Sequence, residues 1–193
     1  MFEVLFNTIN QKVNLTKDEE EQCKTFFTFK KIKKKQYLVQ QEDVCKYTAF
    51  ISKGLLRSGF TDDKGYEHIL QFATEGWWIS DLYSFFTGEP SVYFIDAVED
   101  SELLLQTKET NEEMLVKVPK MERYFRLLTQ NALIALQRRL VGSLSQSAEE
   151  KYVNLLETHP QIIQRVPQHM IASFIGVTPE TLSRIRKQMA SRK

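Results

Sequence analysis

Pro119 marks a change of texture that limits what this chain can fold into. The segment that follows it, KMERYFRLLTQNALIALQRRLVGSLS (residues 120–145), contains no proline and a single glycine, Gly142. Apolar residues recur along it at helical spacing in two stripes. One runs Met121, Phe125, Leu128, Ala132 and Ala135, and the other Leu133, Leu136, Leu140 and Leu144. A surface helix needs one such stripe to cover one neighbour, so two stripes require two surfaces. The pattern admits a helix buried between two parts of its own chain. It equally admits one that packs on its own chain with one stripe and on a twin helix with the other.

Ahead of Pro119 the sequence reads differently. Residues 1–27 suit helices, with Thr16 in LTKDEEEQCKTFF as the cap and acids in the first turn. From about Phe29 to Gln106, short β-rich runs follow one another: YLVQ, YTAFIS, LLRSGF, HILQFA, VYFIDAV and ELLLQT. Turn chemistry separates them, in QED, SKG, TDDKG, TEG, TGEPS and VEDS. LLRSGFTDDKGYEHILQF predicts a hairpin around Asp62–Gly65. Many short strands without intervening long helices predict a β sandwich, jelly roll or barrel.

With 193 residues, 42% hydrophobic and 11% aromatic, the chain can build one large domain or two small ones. Its two cysteines, Cys23 and Cys45, stand far apart, which excludes a disulfide framework and a zinc or iron–sulfur cluster, and predicts reduced thiols. MFEVLFNTINQK lacks the basic start and apolar run of a signal peptide, and no window reads as a membrane span. The expectation is a soluble, cytoplasmic protein with no membrane partner. Net charge is +1, but it is unevenly spread. From Arg165 onward stand Arg165, Arg184, Arg186, Lys187, Arg192 and Lys193 against Glu180 alone.

That basic end has structure written into it. SAEEKYVNLLETHP predicts a helix capped by Ser147 and closed by Pro160, and IIQRVP a short strand or turn. In QHMIASFIGVTPETLSRIRK a helix with Ile171, Ala172 and Ile175 inward ends at Gly176, the residue suited to a positive φ. Thr178 is an N-cap, Pro179 suits the first helical position, and Leu182 and Ile185 point inward from a second helix. Small Ala172 lets the two helices cross closely. Together these predict a helix-turn-helix. The outward face then carries Pro179, Glu180, Ser183, Arg184 and Lys187. Arg184 can pair with guanine and Glu180 can accept from cytosine, while Thr178, Ser183 and Lys187 suit phosphate. Gln168, His169 and Arg186 complete the candidate DNA contacts. The run KKIKKK, Lys30–Lys35, reads as a solvated strand edge, with an auxiliary DNA contact as the sharper alternative.

With the motif located, the whole chain resembles the Crp/Fnr family of cyclic-AMP-receptor-like transcription regulators. KYTAFISKGLLRSGFTDDKGYEHILQFATEGWWISDLYSFFTGEPS is similar to that family's jelly-roll sensor, residues 120–145 to its dimerisation helix, and TPETLSRIRK to its recognition helix. The resemblance implies an α+β fold: an N-terminal β jelly roll like a cyclic-nucleotide-binding domain, a long dimerisation helix, and a C-terminal helix-turn-helix, a reduced winged helix. It implies a sensor domain over 1–119, a dimerisation helix over 120–145 with Met121, Phe125, Leu128, Ala132 and Ala135 at the contact, and a DNA-binding domain over 146–193. Implied partners are a double-stranded DNA operator, a second copy of the chain, and RNA polymerase.

The family's nucleotide-pocket positions fall at Trp78, Ser80, Asp81, Leu82, Ser91 and Val92. Ser91 stands where an arginine pairs with the cyclic phosphate, and residues 77–101 contain no lysine or arginine. A buried phosphate without a fixed cation is unfavourable. The expectation is a regulator that does not depend on cyclic AMP, with no cofactor beyond an unidentified small-molecule effector; the alternative is a regulator responsive to a cyclic nucleotide or other small molecule in the jelly roll. Pro179 replaces a side chain that relatives use, which predicts a different operator. No catalytic constellation is present. A cupin-like metalloenzyme would need several inward histidines and carboxylates, and His68 stands alone in the β region. A protein-docking role for the C-terminal unit is the remaining alternative.

Overall fold

The computed structural model describes residues 1–191. Arg192 and Lys193, part of the basic end, lie outside the described residues. Two short helices, α1 (Phe2–Asn10) and α2 (Lys17–Lys24), open the chain. As expected, Thr16 caps α2: its hydroxyl accepts the Glu19 N–H while the Glu19 carboxylate accepts the Thr16 N–H. The strands follow: β1 (Thr28–Ile32), β2 (Tyr37–Val39), β3 (Thr48–Lys53), β4 (Leu56–Thr61), β5 (Glu67–Ala73) and β6 (Trp78–Ile79), then helix α3 (Leu82–Thr87), β7 (Phe94–Ala97) and β8 (Ser101–Gln106). Helix α4 (Lys108–Lys117) leads into α5 (Lys120–Ser145), α6 (Ala148–Thr158), α7 (Pro160–Arg165), α8 (Gln168–Ile175) and α9 (Pro179–Ala190).

The strands form two four-stranded antiparallel sheets, ordered β1-β8-β3-β6 and β2-β7-β4-β5. Each strand has one face toward the opposite sheet, so residues alternate between two apolar clusters. Ile51, Ile79 and Leu103 from the first sheet meet Leu56, Ala73, Ile95 and Ala97 from the second, with Phe85 of α3 closing one end. On the outer face of the first sheet, Phe50 and Leu104 pack with Leu5, Ile9, Met114, Met121 and Tyr124, so α1, α4 and the start of α5 cover it. The outer face of the second sheet is covered by α6–α9. The fold is thus a jelly-roll-like antiparallel α+β architecture with C-terminal helices, and the β4–β5 hairpin turns at Asp62–Gly65 as expected.

Three elements differ from the sequence reading. IIQRVP is not a strand: Pro160 starts a short helix, where its missing N–H costs nothing. Residues 82–87, to which the sequence reading gives no element, form α3 because Asp81 caps it and Gly88 ends it at φ 78°. Helix α4 was unassigned; its mixed surface hides the signal, though Thr107 caps it. Among the described residues no helix is long and apolar enough to cross a membrane.

Candidate nucleic-acid interface

Helices α8 and α9 build the candidate interface, and the residues expected to face inward are buried. Ile171, Ala172 and Ile175 of α8 and Leu182 and Ile185 of α9 are buried together, Ala172 completely. Gly176 takes φ 77° and ψ 38°, and the Val177 N–H returns to the Ala172 carbonyl at 2.9 Å. A Cβ there would meet nothing within 4 Å, so the backbone angle, not space, requires glycine. Thr178 then caps α9 by accepting the Thr181 N–H at 3.3 Å, with Pro179 in the first turn. The chain therefore reverses in three residues and lays α9 across α8.

With Leu182 and Ile185 inward, helical spacing turns Glu180, Ser183, Arg184 and Lys187 outward. These four and Pro179 line one open surface depression. All are exposed, as are Gln168, His169 and Thr178. Hydrogen bonds from its own N–H and from Thr178 hold the Glu180 carboxyl below its ordinary pKa, so it is a permanent acceptor at neutral pH. Arg186 is exposed as well, but on a different part of the helix. It lies four residues after buried Leu182, above that side chain, on the flank of α9 away from Arg184 and Lys187.

The motif is clamped onto the second sheet by contacts that sequence reasoning missed. Edge strand β5 offers free backbone groups, and α8 lies along it. The Ser173 hydroxyl accepts the Ile69 N–H at 3.0 Å and donates to the Glu67 carbonyl at 2.9 Å, completing the edge as a further strand would. Phe174 packs on Phe72 with ring centres 5.2 Å apart. Arg139 of α5 places its guanidinium over the Phe174 ring and donates to the Leu70 carbonyl. Arg165 makes a forked pair with Glu75 at 2.8 and 3.0 Å and also bonds Glu99. Those carboxylates raise the Arg165 pKa. Burial works to raise the Glu75 pKa, but the Arg165 and backbone hydrogen bonds together hold it below its ordinary value. His159, between α6 and α7, meets Trp77 edge-on at 5.3 Å.

The residues expected to hold a small molecule do not converge on one space. Asp81 and Ser91 are buried and bonded to each other at 2.7 Å, and Asp81 also accepts the Ser84 N–H as cap of α3. Ser80 lies against Cys45 and the Tyr47 carbonyl. Leu82 and Val92 are exposed. Trp78 sits on the outer face of the first sheet, stacked edge-on with Phe50 and Phe125, its Nε1–H donating to the Tyr124 hydroxyl at 3.0 Å. The aromatic residues of α3 are likewise dispersed: Phe85 fills the core, whereas Tyr83 and Phe86 are exposed. Cys23 is buried and its thiol pKa is pushed up to about 12 by burial first and by Glu19 and Glu20 next. Among the described residues no group of three or more histidines, cysteines and carboxylates could hold a metal ion.

Helix α5 divides its stripes differently from the expectation. Met121 is fully buried in the protomer and Phe125 and Leu128 pack against the same cluster, so these three cover the chain's own first sheet. Met121 is therefore not a free contact for a twin helix. Ala132 and Ala135 are exposed. So is the second stripe, with Leu136 at 62% and Leu144 at 82% exposure, flanked by Ile134 and Val141. These side chains leave an apolar helix face exposed in the protomer.

Comparisons with known proteins agree with this architecture. Among solved structures, FixK2 from Bradyrhizobium japonicum superposes with a TM-score of 0.74 at 18% identity, over 86% of this chain and 85% of that one. The c-di-GMP responsive global regulator CLP of Xanthomonas campestris gives 0.74 at 12% identity, over 92% and 93%. The catabolite activator protein of Thermus thermophilus gives 0.61 at 18% identity, over 96% and 87%. No curated protein matches the sequence at a significant level. Residues 29–117 match the family model of the cyclic nucleotide-binding domain, and the chain as a whole has the fold of these three proteins.

Proposed function

We propose that the chain is a homodimeric, sequence-specific DNA-binding transcription regulator of the Crp/Fnr type and not an enzyme. The observation that carries this is the outward face of α9, where Glu180, Ser183, Arg184 and Lys187 stand exposed together over a buried two-helix core. A helix so mounted offers its first turns to base edges in the major groove and its flanking cations to phosphate. The structural likeness to a catabolite activator and a global regulator supports the reading. In it, residues 1–119 form the sensor, 120–145 the dimerisation helix and 146–193 the DNA-binding domain. The twin helix meets the exposed stripe of Leu133, Leu136, Leu140 and Leu144 together with Ala132 and Ala135. Two α9 helices then face successive major grooves.

The same reading makes the regulator independent of cyclic AMP. Asp81, in the position that would hold a ribose, spends both carboxylate oxygens on Ser84 and Ser91. Residues 77–101 supply no cation for a cyclic phosphate. Selection of duplexes from a random-sequence pool tests the proposal. The expected product is a two-fold symmetric sequence with half-sites one helical turn apart, bound equally with and without cyclic AMP; a pool that enriches nothing overturns it.

A further inference from the structure

Strand β5 ends the second sheet, and an edge strand leaves a row of backbone groups without a strand partner. Here three of those groups are taken from outside the sheet. The Glu67 carbonyl and the Ile69 N–H both bond the Ser173 hydroxyl of α8, at 2.9 and 3.0 Å. The register of β4 and β5 pairs Gly59 with Ile69 and Ser58 with Gln71, so Leu70 is an extra residue, and its carbonyl accepts from Arg139 of α5. A serine inside a helix ordinarily donates to the carbonyl of the preceding turn. Ser173 instead donates to a strand 106 positions away.

These contacts fix a direction as well as covering an edge. Ahead of α8, Arg165 forks onto Glu75, whose carboxylate also accepts the Gly54 N–H at 2.7 Å, and it bonds Glu99 too. One anchor would leave α8 free to pivot. Anchors before its first turn and at Ser173, near its far end, leave no pivot. Between them Ile171 and Ile175 share one buried cluster with Ile69, Phe72 and Phe94 of the second sheet. A close-packed core common to strand and helix transmits position from one to the other. Leu182 joins the same cluster, and the short turn at Gly176 ties α9 to α8. The angle of α9 to the sheets is therefore set at β5.

We propose that Ser173 is a positioning residue: by closing the edge of β5 it holds α9 at one angle to the rest of the protomer, and so sets the spacing of the two half-sites that a dimer reads. The proposal rests on the DNA-binding reading above. A serine that only covers the edge would affect stability alone. One that positions α9 also decides which spacing is bound, because two rigid protomers present their reading helices at a fixed separation.

The test uses the full chain and the duplex it selects, with a single base pair inserted or removed between the half-sites. Wild type should bind the selected spacing more tightly than the altered ones. In Ser173→Ala that preference should fall by about tenfold, the weight of one to two net hydrogen bonds. Preference among single-base variants within a half-site should stay as in wild type. Ser173→Thr, which keeps the hydroxyl, should restore the spacing preference. A second variant does not depend on weakening the fold. Glu75→Cys/Arg165→Cys, bridged by a short bismaleimide in place of the ion pair, should bind the selected duplex as tightly as wild type and with the same spacing preference. Wild type that tolerates every spacing, a folded Ser173→Ala chain that keeps the full preference, or a bridged chain that no longer binds overturns the positioning role and leaves the DNA-binding reading intact. Wild type that selects no duplex overturns both.

Discussion

The guanidinium of Arg139 lies 4.4 Å from the centre of the Phe174 ring, joining the long helix α5 to α8, the first helix of the two-helix motif. Its other partner is the Leu70 carbonyl, on β5. One side chain thus touches the expected dimerisation helix, the second sheet and α8. Burial lowers the Arg139 pKa, as expected where no carboxylate is at hand. Arg139→Ala and Phe174→Leu should each destabilise the chain, and a double-mutant cycle in denaturant should show a coupling of about 0.5–1 kcal/mol. Additive effects would show that the pair does not interact.

The proposed function assigns base reading to Arg184, an exposed cation on the outward face of α9. Arg184→Ala should weaken operator binding by about 1–3 kcal/mol and relax discrimination at one base position. Arg186→Ala, on the flank of α9, should leave base preference unchanged. Binding measured on a panel of single-base operator variants separates the two outcomes.

The stripes of α5 should respond to substitution in opposite ways. Leu136→Lys and Leu140→Lys together should convert a dimer to a folded monomer, since both side chains are exposed in the protomer. Met121→Ala should instead cost about 2–5 kcal/mol of protomer stability, because it empties a buried site. Sedimentation and denaturant unfolding, run on the same variants, distinguish the roles.

His159 predicts a pH effect of defined sign. Burial lowers its pKa from the ordinary 6.5. The folded state therefore binds fewer protons than the unfolded state just below that value, and stability falls as pH falls through the window between the two pKa values. His159→Phe keeps a ring against Trp77 and should flatten this part of the pH–stability curve. An unchanged slope would show that His159 does not carry the effect; Glu75, whose pKa is lowered, loses its contribution in a separate window, as pH falls below the ordinary carboxylate value.

Local chemistry made much of this architecture legible beforehand. Ala172, Gly176, Thr178, Leu182 and Ile185 specify the motif within one short segment, and each acts through its own backbone or its nearest helix turn. The bounds of α5 follow from Pro119 and the spacing that begins at Met121. What escaped depends on partners distant in sequence. Ser173 reads as an ordinary helix residue until β5 lies beside it, more than a hundred positions away. The stripe of Met121, Phe125 and Leu128 has the same period as the exposed one, and only the position of the first sheet decides which is covered. Trp78 and Asp81 lie three apart in sequence, but Trp78 packs in the cluster on the outer face of the first sheet while Asp81 is taken up as the cap of α3. Short helices such as α3 hide because a few residues carry too little periodicity to stand out.

In the proposed function, α9 delivers this chain to duplex DNA through phosphate-neutralising cations and base-reading side chains. A titration of the selected duplex with the full chain across a range of salt concentrations addresses it most directly. Phosphate binding predicts that the logarithm of the affinity falls linearly with the logarithm of salt, with a slope of several units that drops by about one per protomer in Lys187→Gln. An affinity that does not change with salt, or no binding at low salt, would contradict it.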